Sequence, residues 1–511
     1  MRAVRLALVI LPLATAACAQ LPPRPQLPVD AALPPGASSQ LDQLIAPVEV
    51  EHPGESGFVL LKDGPEAFVV RARTAQLAGR SIDVQTYIWH ADLTGTFLAL
   101  QLVAAADRGV NVRLLLDDMD ARARNAGFAA LDAHPRIAVR MFNPFASREG
   151  VLGFIGEGLT SFDRINHRMH NKSWIADNRI AIVGGRNLGD EYFGANDGAN
   201  FVDLDFAMVG GVVRDASASF DRYWNSPAAY PMSVLDPDGV SEQALEQLRR
   251  WLDGATDDIG QSRYAEALRE DEAVQRLLAG NVPLQWTARY QFVADDPLKA
   301  ALAEDDPSRS KVIAALLPHL QATQRDLSIV SPYFVPGESG TQALVKLAQS
   351  GKSVSVLTNS LAANDVAAVH GGYSRHRKGL LEGGVALHEL KPVAGATANT
   401  SLAGSSGASL HTKALVIDDD TLFVGSYNLD PRSTMLNCEQ GVLVENPVLA
   451  GELRAIIERQ TSPERAWSVT VREGELNWTD GTETFDEDPD ATWSQRFQAW
   501  FARTFRLDAQ L

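Results

Sequence analysis

The chain has 511 residues, 45% hydrophobic and 22% charged, which excludes global disorder and leaves room for two or three domains. A formal charge of −18 repels DNA and RNA over most of the surface, because duplex binding rests on Lys and Arg neutralising phosphates, so no nucleic-acid partner is expected. Two cysteines, Cys18 and Cys438, exclude a disulfide framework.

Residues 1–18 read as an export signal. Arg2 and Arg5 are followed by an apolar run, Leu6 to Leu13, and then by Ala14, Thr15, Ala16 and Ala17 before Cys18. The run is too short to cross a bilayer. Thr15-Ala16-Ala17-Cys18 resembles a bacterial lipobox, with Thr15 where Leu is usual, and would make Cys18 the lipidated first residue. Ordinary cleavage after Ala19 is the alternative. Residues 19–50 follow as a Pro-rich tether. Pro22, Pro23, Pro25, Pro28, Pro34 and Pro35 bar a helix or central strand between Leu21 and Gln40, and an extended reach on the order of 60 Å is expected. No later stretch carries the run of apolar residues that a membrane span requires.

Beyond the tether the chain repeats itself. Ser81 to Ile88 is an apolar strand, followed by a helical stretch and the strand Val112 to Asp117. Ser328 to Phe334 is followed in the same way by a helical stretch and Val354 to Asn359. Strand, helix, strand argues for βαβ units and a largely parallel sheet in each half. The offset is 246 at Tyr87/Tyr333 and 242 at Asp117/Asn359 (333 − 87; 359 − 117). Between the halves, residues 214–284 read as linker and satellite helices, with Leu245, Leu248, Trp251 and Leu252 at helical spacing.

The duplication extends to two polar motifs. His170-Asn171-Lys172 leads through Asp177 to Gly184-Gly185-Arg186-Asn187. His411-Thr412-Lys413 leads through Asp418 to Gly425-Ser426-Tyr427-Asn428. His, Lys, Asp, Gly and Asn recur at one offset of 241 (411 − 170, 413 − 172, 418 − 177, 425 − 184, 428 − 187). His and Lys two apart on a strand share a face. The Asp residues fall where the strand turns, and the Gly pairs end the next strand, where backbone can approach a ligand closely. Two imidazoles can serve as nucleophile and acid. Two ammoniums and two amides can hold phosphate oxygens and the charge that develops on them. Zinc is not indicated, since Lys is no ligand and no Cys or acidic cluster accompanies the histidines. No metal or other cofactor is expected.

This duplicated H-x-K-x4-D pattern resembles the phospholipase D superfamily. Arg164 to Lys172, Val369 to Arg377 and Gly425 to Ser433 look like its bacterial cardiolipin-synthase branch, and most like the C-type members. The resemblance covers about residues 55–505. It implies two α/β/α sandwich domains related by pseudo-twofold symmetry with the active site between them, so that a monomer suffices. It also implies phosphatidyl transfer through a phosphohistidine. His170 is then the nucleophile and His411 the general acid, with Lys172, Lys413, Asn187 and Asn428 at the phosphate. Family members place a histidine-orienting acid roughly a strand downstream; Glu439 matches it, with Asp203, or alternatively Asp205, as the first-half counterpart. Asp177 and Asp418 are motif positions expected to stabilise the motif loop more than to do chemistry.

The expected division is 51–213 and 285–475 for the two domains, 214–284 for the helical linker and 476–511 for a C-terminal extension. Four further features stand open. Gly404 to Ser409 is a lip over the site or a plain loop. Gly150 to Gly156 touches acyl chains or forms a small buried cluster. Arg375 and Arg377 bind a head-group phosphate or are solvated. Trp493, Phe497, Trp500 and Phe501, interleaved with Arg496, Arg503 and Arg506, form an amphipathic helix that docks on the body or binds a membrane surface. Cys438 is expected as a buried thiol. The functional expectation is phosphatidyl transfer between membrane phospholipids in a bacterial envelope, lipid-anchored and facing the periplasm. Hydrolysis of a phosphodiester, or lipid binding without turnover, are the alternatives.

Overall fold

The computed structural model describes residues 21–121, 125–146, 166–303, 306, 308–364, 366–392 and 410–505. In the first half the apolar segments become β1 (Ser56–Leu61), β2 (Ser81–Thr86), β3 (Asn111–Asp117), β4 (Ile137–Phe142), β5 (Ser173–Ala176), β6 (Ile180–Gly184) and β7 (Asp205–Gly210). Two short strands, β8 (Ala229–Pro231) and β9 (Gln285–Thr287), complete a sheet of order β8-β4-β3-β2-β5-β6-β7-β1-β9. The second half supplies β10 (Tyr290–Ala294), β11 (Asp326–Val330), β12 (Ser353–Asn359), β13 (Ala386–Leu390), β14 (Ala414–Ile417), β15 (Thr421–Gly425) and β16 (Gln440–Glu445). Then come β17 (Ala466–Arg472), β18 (Glu475–Thr479) and β19 (Thr484–Phe485), and the order is β10-β16-β15-β14-β11-β12-β13-β17-β18-β19.

Position by position, β4-β3-β2-β5-β6-β7-β1 matches β13-β12-β11-β14-β15-β16-β10. Each sheet is mixed: β2–β3–β4 and β11–β12–β13 pair in parallel, and the remaining pairs are antiparallel. Parallel neighbours need a crossover, and the helices Leu93–Asp107 and Gly337–Gln349 supply it between β2 and β3 and between β11 and β12. The two sheets share a core. Phe58, Ile175, Val183 and Phe206 from the first meet Val330, Leu357, Val416 and Val442 from the second, together with Phe220 of helix Gly211–Trp224 and Leu453 of helix Pro447–Gln460. Separate cores lie on the outer face of each sheet.

The strand boundaries redraw the expected divisions. Helix Gly211–Trp224 packs in the shared core, β8 pairs with β4 and β9 pairs with β1, so parts of 214–287 belong to the first sheet. Likewise β18 and β19 carry the second sheet past residue 475. Leu245 and Leu252 are buried, but Trp251 is half exposed. The tether does not stand off as a 60 Å spacer. Residues 21–36 lack helix and strand, as the prolines require, but they lie along the first domain. Arg24 Nε donates to Ala229 O at 2.8 Å, and Trp224 Nε1 donates to Asp30 Oδ2 at 3.1 Å. Ser39 then caps helix Gln40–Glu51 through a capping box with Asp42, which Arg179 Nε anchors at 2.8 Å. Polyproline backbone leaves its carbonyls unpaired, and the Arg side chains of the domain take them up; Arg80 Nη1 on Pro34 O is one case.

Candidate active site

Both histidines reach the site from just outside their strands. β5 begins at Ser173 and β14 at Ala414, one residue after each Lys, so His170 and His411 sit on extended segments that precede the strands. Each segment bonds to the other half. His170 N donates to Cys438 O at 2.9 Å, and His411 N donates to Val202 O at 2.8 Å. The isolated bridges Met169–Cys438 and Val202–Leu410 lie beside these bonds. Cys438 is buried, as its neighbours dictate, and burial pushes its thiol up to about 12.

The acids follow the same crossing. Glu439 Oε2 lies 2.9 Å from His170 Nδ1, and Asp203 Oδ2 lies 2.6 Å from His411 Nδ1. Sequence order suggests that each acid serves the histidine upstream in its own half; the structure gives each to the opposite half. Asp205 instead takes an ion pair from Arg71, 2.9 Å away. Both carboxylates are fully buried, and each imidazole is 12% exposed, so a ring edge remains reachable from the cleft. With Nδ1 occupied, Nε2 is the nitrogen available for chemistry.

The two carboxyls shift in opposite directions, and one difference between their surroundings is visible in the sequence. Position 426 is Ser where its counterpart, 185, is Gly. Ser426 Oγ and Ser433 Oγ both donate to the Glu439 carboxylate, Ser433 at 2.9 Å. A buried Asp295, paired with Lys299 at 2.6 Å, accepts from Glu439 N. Burial works to raise Glu439, but His170, Lys172 and Ser426 outweigh it and hold the carboxyl below its ordinary value. At Gly185 a Cβ would fall 2.2 Å from Asp203 Oδ1, so the residue must lack a side chain and can donate no hydroxyl. Asp203 receives its own neighbour Leu204 N at 2.7 Å. Burial then holds Asp203 above its ordinary value, although Lys413, Arg186 and Lys172 pull it down.

The cations share the cleft. Burial lowers His170, with Glu439 opposing. Burial lowers His411 well below the ordinary histidine value, and Lys413, Lys172 and His170 add to that. Lys172 is buried and lowered to about 7, first by burial and further by Lys413, against Glu439. Lys172 Nζ and Lys413 Nζ donate to the carbonyls of His170 and His411, each at 2.5 Å. Asn187 is buried, accepts Ile88 N and donates to Tyr192 OH at 2.9 Å. Asn428 is buried and its Oδ1 has no hydrogen-bond partner among the described residues. Three rings that the motif does not announce pack on the imidazoles: Tyr87 against His170 with centroids 5.3 Å apart, and Tyr192 and Phe201 against His411 at 5.3 and 5.2 Å.

Several motif residues do other work. Asp177 accepts from the backbone N–H groups of Gly79, Arg80 and Ser81, and Asp418 from Gln324, Arg325 and Asp326. Both adopt left-handed backbone, φ 52° and 49°, at the far ends of β5 and β14. Seven residues of extended chain place them about 20 Å from the histidines, so they do not touch the reacting group. The glycines that end β6 and β15 make room for a neighbouring strand, not a ligand: a Cβ on Gly184 or Gly425 would fall 2.4 Å from Leu204 O or 2.3 Å from Gln440 O. Arg377 is neither a phosphate ligand nor solvated. It is buried, 3.1 Å from Glu389 and 3.0 Å from Asp488. His90, Asp92 and Glu191 have the composition of a metal cluster but lie outside the histidine pairs. Cys18, Gly150 to Gly156, Gly404 to Ser409 and Arg506 fall outside the described residues.

Comparison with known proteins adds identity to this geometry. Residues 72–224 and 316–461 match the family model described as cardiolipin synthase, phospholipase D-like domain. The chain is 41% identical over 451 residues to cardiolipin synthase C of Escherichia coli, covering 86% of this chain and 92% of that one. It is 32% identical to an uncharacterized protein of Helicobacter pylori, covering 84% and 83%. Among solved structures, phosphatidylserine synthase of Haemophilus influenzae aligns with a TM-score of 0.57 at 13% identity, covering 89% of this chain and 95% of that one. That likeness shows a common fold of two such domains.

Proposed function

The chain belongs to the family of phospholipase D-like cardiolipin synthases, and on that premise we propose that its cleft transfers a phosphatidyl group from one membrane phospholipid to a hydroxyl of another. The observation that carries the reading is the pair of histidine–carboxylate couples, His170 with Glu439 and His411 with Asp203, assembled from both halves around two buried lysines. Both couples form within one copy of the chain, which supports a monomer as sufficient.

His170 Nε2 attacks phosphorus while the bond from phosphorus to the departing alcohol oxygen breaks. His411 gives its proton to that oxygen, leaving a phosphohistidine and a free alcohol. The incoming hydroxyl then passes its proton to His411 as its oxygen attacks phosphorus and the P–N bond breaks. A phosphorylated imidazole carries positive charge, and ionised Glu439 balances it. The His411 cation is disfavoured by burial and lysines, so it gives its proton readily to the departing oxygen. Lys172, Lys413, Asn187 and Asn428 hold the non-bridging oxygens.

Mass spectrometry of lipids formed by purified enzyme in mixed micelles tests this, with a His411→Ala control. Phosphatidyl transfer to phosphatidylglycerol or glycerol is expected. Phosphatidic acid alone, with those acceptors abundant, overturns transfer in favour of hydrolysis. The lipobox-like Thr15 to Cys18 and the signal before it support an envelope protein held by acylated Cys18 and facing the periplasm. Labelled palmitate should then enter the wild type and not Cys18→Ala; equal labelling of both overturns the anchor.

A further inference from the structure

The last helix, Trp493–Phe505, packs with its small face inward. Gln495, Ala499 and Ala502 are buried against the body, while Trp493 is 79% exposed and Phe497, Trp500, Phe501 and Phe505 stand between 42% and 59% exposed. A helix that merely docks on its own domain turns its large apolar residues inward. Here the outward rings form a continuous strip, from Trp493 stacked on Phe497 at 5.6 Å to Phe501 against Phe505 at 4.5 Å.

The helix is fixed in this orientation. It lies against helix Ala367–Glu382 so closely that a Cβ on Gly371 would fall 2.4 Å from Ala499 O. Its lead-in residue Asp488 accepts from Arg377 at 3.0 Å and lies 3.2 Å from His370, both buried, and Arg496 donates to Asp488 O at 2.7 Å. Rotating the aromatics inward would break these buried contacts.

Its place is beside the cleft. Gln495 Nε2 donates to Leu361 O at 3.3 Å, in the turn after β12. Asn359, the last residue of β12, donates to Leu410 O at 3.1 Å, and His411 follows. The aromatic strip and the second catalytic histidine therefore occupy the same end of the second sheet. The helix carries Arg496, paired with Glu487, an exposed Arg503 and no acidic residue, in a chain whose net charge is −18.

We propose that this aromatic face inserts into the interfacial layer of a phospholipid bilayer and seats the catalytic cleft on it. Trp and Phe favour that layer, and an acid-free helix suits anionic headgroups where the rest of the surface does not. The link to catalysis rests on the phospholipid reading above; the docking does not.

Quenching of tryptophan fluorescence by acyl-brominated phosphatidylglycerol vesicles tests it on the full chain, since only rings entering the acyl region are quenched, wherever else the chain is anchored. Wild type should be quenched, and Trp493→Phe/Trp500→Phe should lose most of that quenching. Phe497→Asp/Phe501→Asp keeps both reporters and should lose it as well. Turnover of a dispersed short-chain phospholipid should stay within about twofold, and turnover in vesicles should fall about tenfold. The single exposed change Trp493→Ser, expected to weaken quenching in proportion, serves if the double variant does not fold. Absence of turnover on every substrate would sink the transferase reading and leave the quenching result to stand. Unchanged quenching in both double variants overturns the proposal. So does a dimer in sedimentation that Phe497→Asp/Phe501→Asp dissolves without altering vesicle quenching, which would make the strip a contact between copies.

Discussion

His170 Nδ1 lies 2.9 Å from Glu439 Oε2, although 269 residues of chain separate them. The second couple, His411 with Asp203, closes the crossing at 2.6 Å. Each half therefore orients the histidine of the other across the shared core.

Glu439→Gln should therefore reduce kcat by roughly 10²- to 10³-fold, by analogy with other acids that fix an imidazole tautomer. It should shift the ring-proton resonance of His170 and leave that of His411 in place. Asp203→Asn should do the converse. A Glu439→Gln spectrum in which the His411 signal moves and the His170 signal does not would refute the crossing.

Asp177 and Asp418 bear on stability, not chemistry. Each replaces by carboxylate acceptance what three backbone N–H groups at a strand lead-in would otherwise lack. Asp177→Ala should cost about 2–3 kcal/mol, the scale of lost charge-assisted bonds, while the folded fraction keeps near-normal kcat. A loss of kcat matching that of a histidine substitution, at unchanged unfolding midpoint, would return Asp177 to the catalytic group.

Much of this architecture is legible in the sequence. The offset of 241 identifies the paired motifs because a strand–turn–strand unit fixes the spacing of His, Lys, Asp, Gly and Asn, and the apolar runs flanking it are the strands. What the sequence hides is long-range. The offset falls to 236 between Asp203 and Glu439 (439 − 203), so the acids align only across a five-residue insertion, and nothing local says which histidine each will meet. Asp295 and Lys299 support Glu439 from a separate segment that carries no motif, and Ser433, although it ends the Gly425 to Ser433 segment, shows its role only once Glu439 lies beside it. The Gly185/Ser426 difference was readable as a break in the repeat, yet its meaning needs the carboxylate that occupies the space. The tether looked free because prolines exclude regular structure; they do not exclude docking.

The histidines should separate with a substrate whose leaving group needs no proton. His170→Ala and His411→Ala should each cost several orders of magnitude on a natural phospholipid, because nucleophile and acid act as one unit. With a nitrophenyl phosphodiester, His411→Ala should regain activity and His170→Ala should stay inactive. Rescue of His170→Ala instead would exchange the two roles. Chelator should leave all of these rates unchanged, since in the proposed mechanism Lys172 and Lys413 supply the cationic charge at the phosphate.

The pH dependence follows from the directions of the shifts. As the proposed nucleophile His170 must be neutral, and burial lowers it, so the acid limb of kcat/KM should lie below the ordinary histidine value of 6.5. As a proposed phosphate ligand Lys172 must be charged, and burial brings it to about 7 in the free enzyme. Its ammonium is complete below that value and lost above it, so kcat/KM should decline as pH rises through about 7. Bound phosphate favours the ammonium, and the corresponding limb of kcat should lie higher. A general acid at His411 gives a limb of the same sign, and substitution separates the two. Lys172→Arg keeps a charge that does not titrate in this range, so its kcat/KM should lose the decline near 7 even if its maximum is lower. A descending limb that stays in place in Lys172→Arg would assign it to the His411 couple and remove Lys172 as the titrating group.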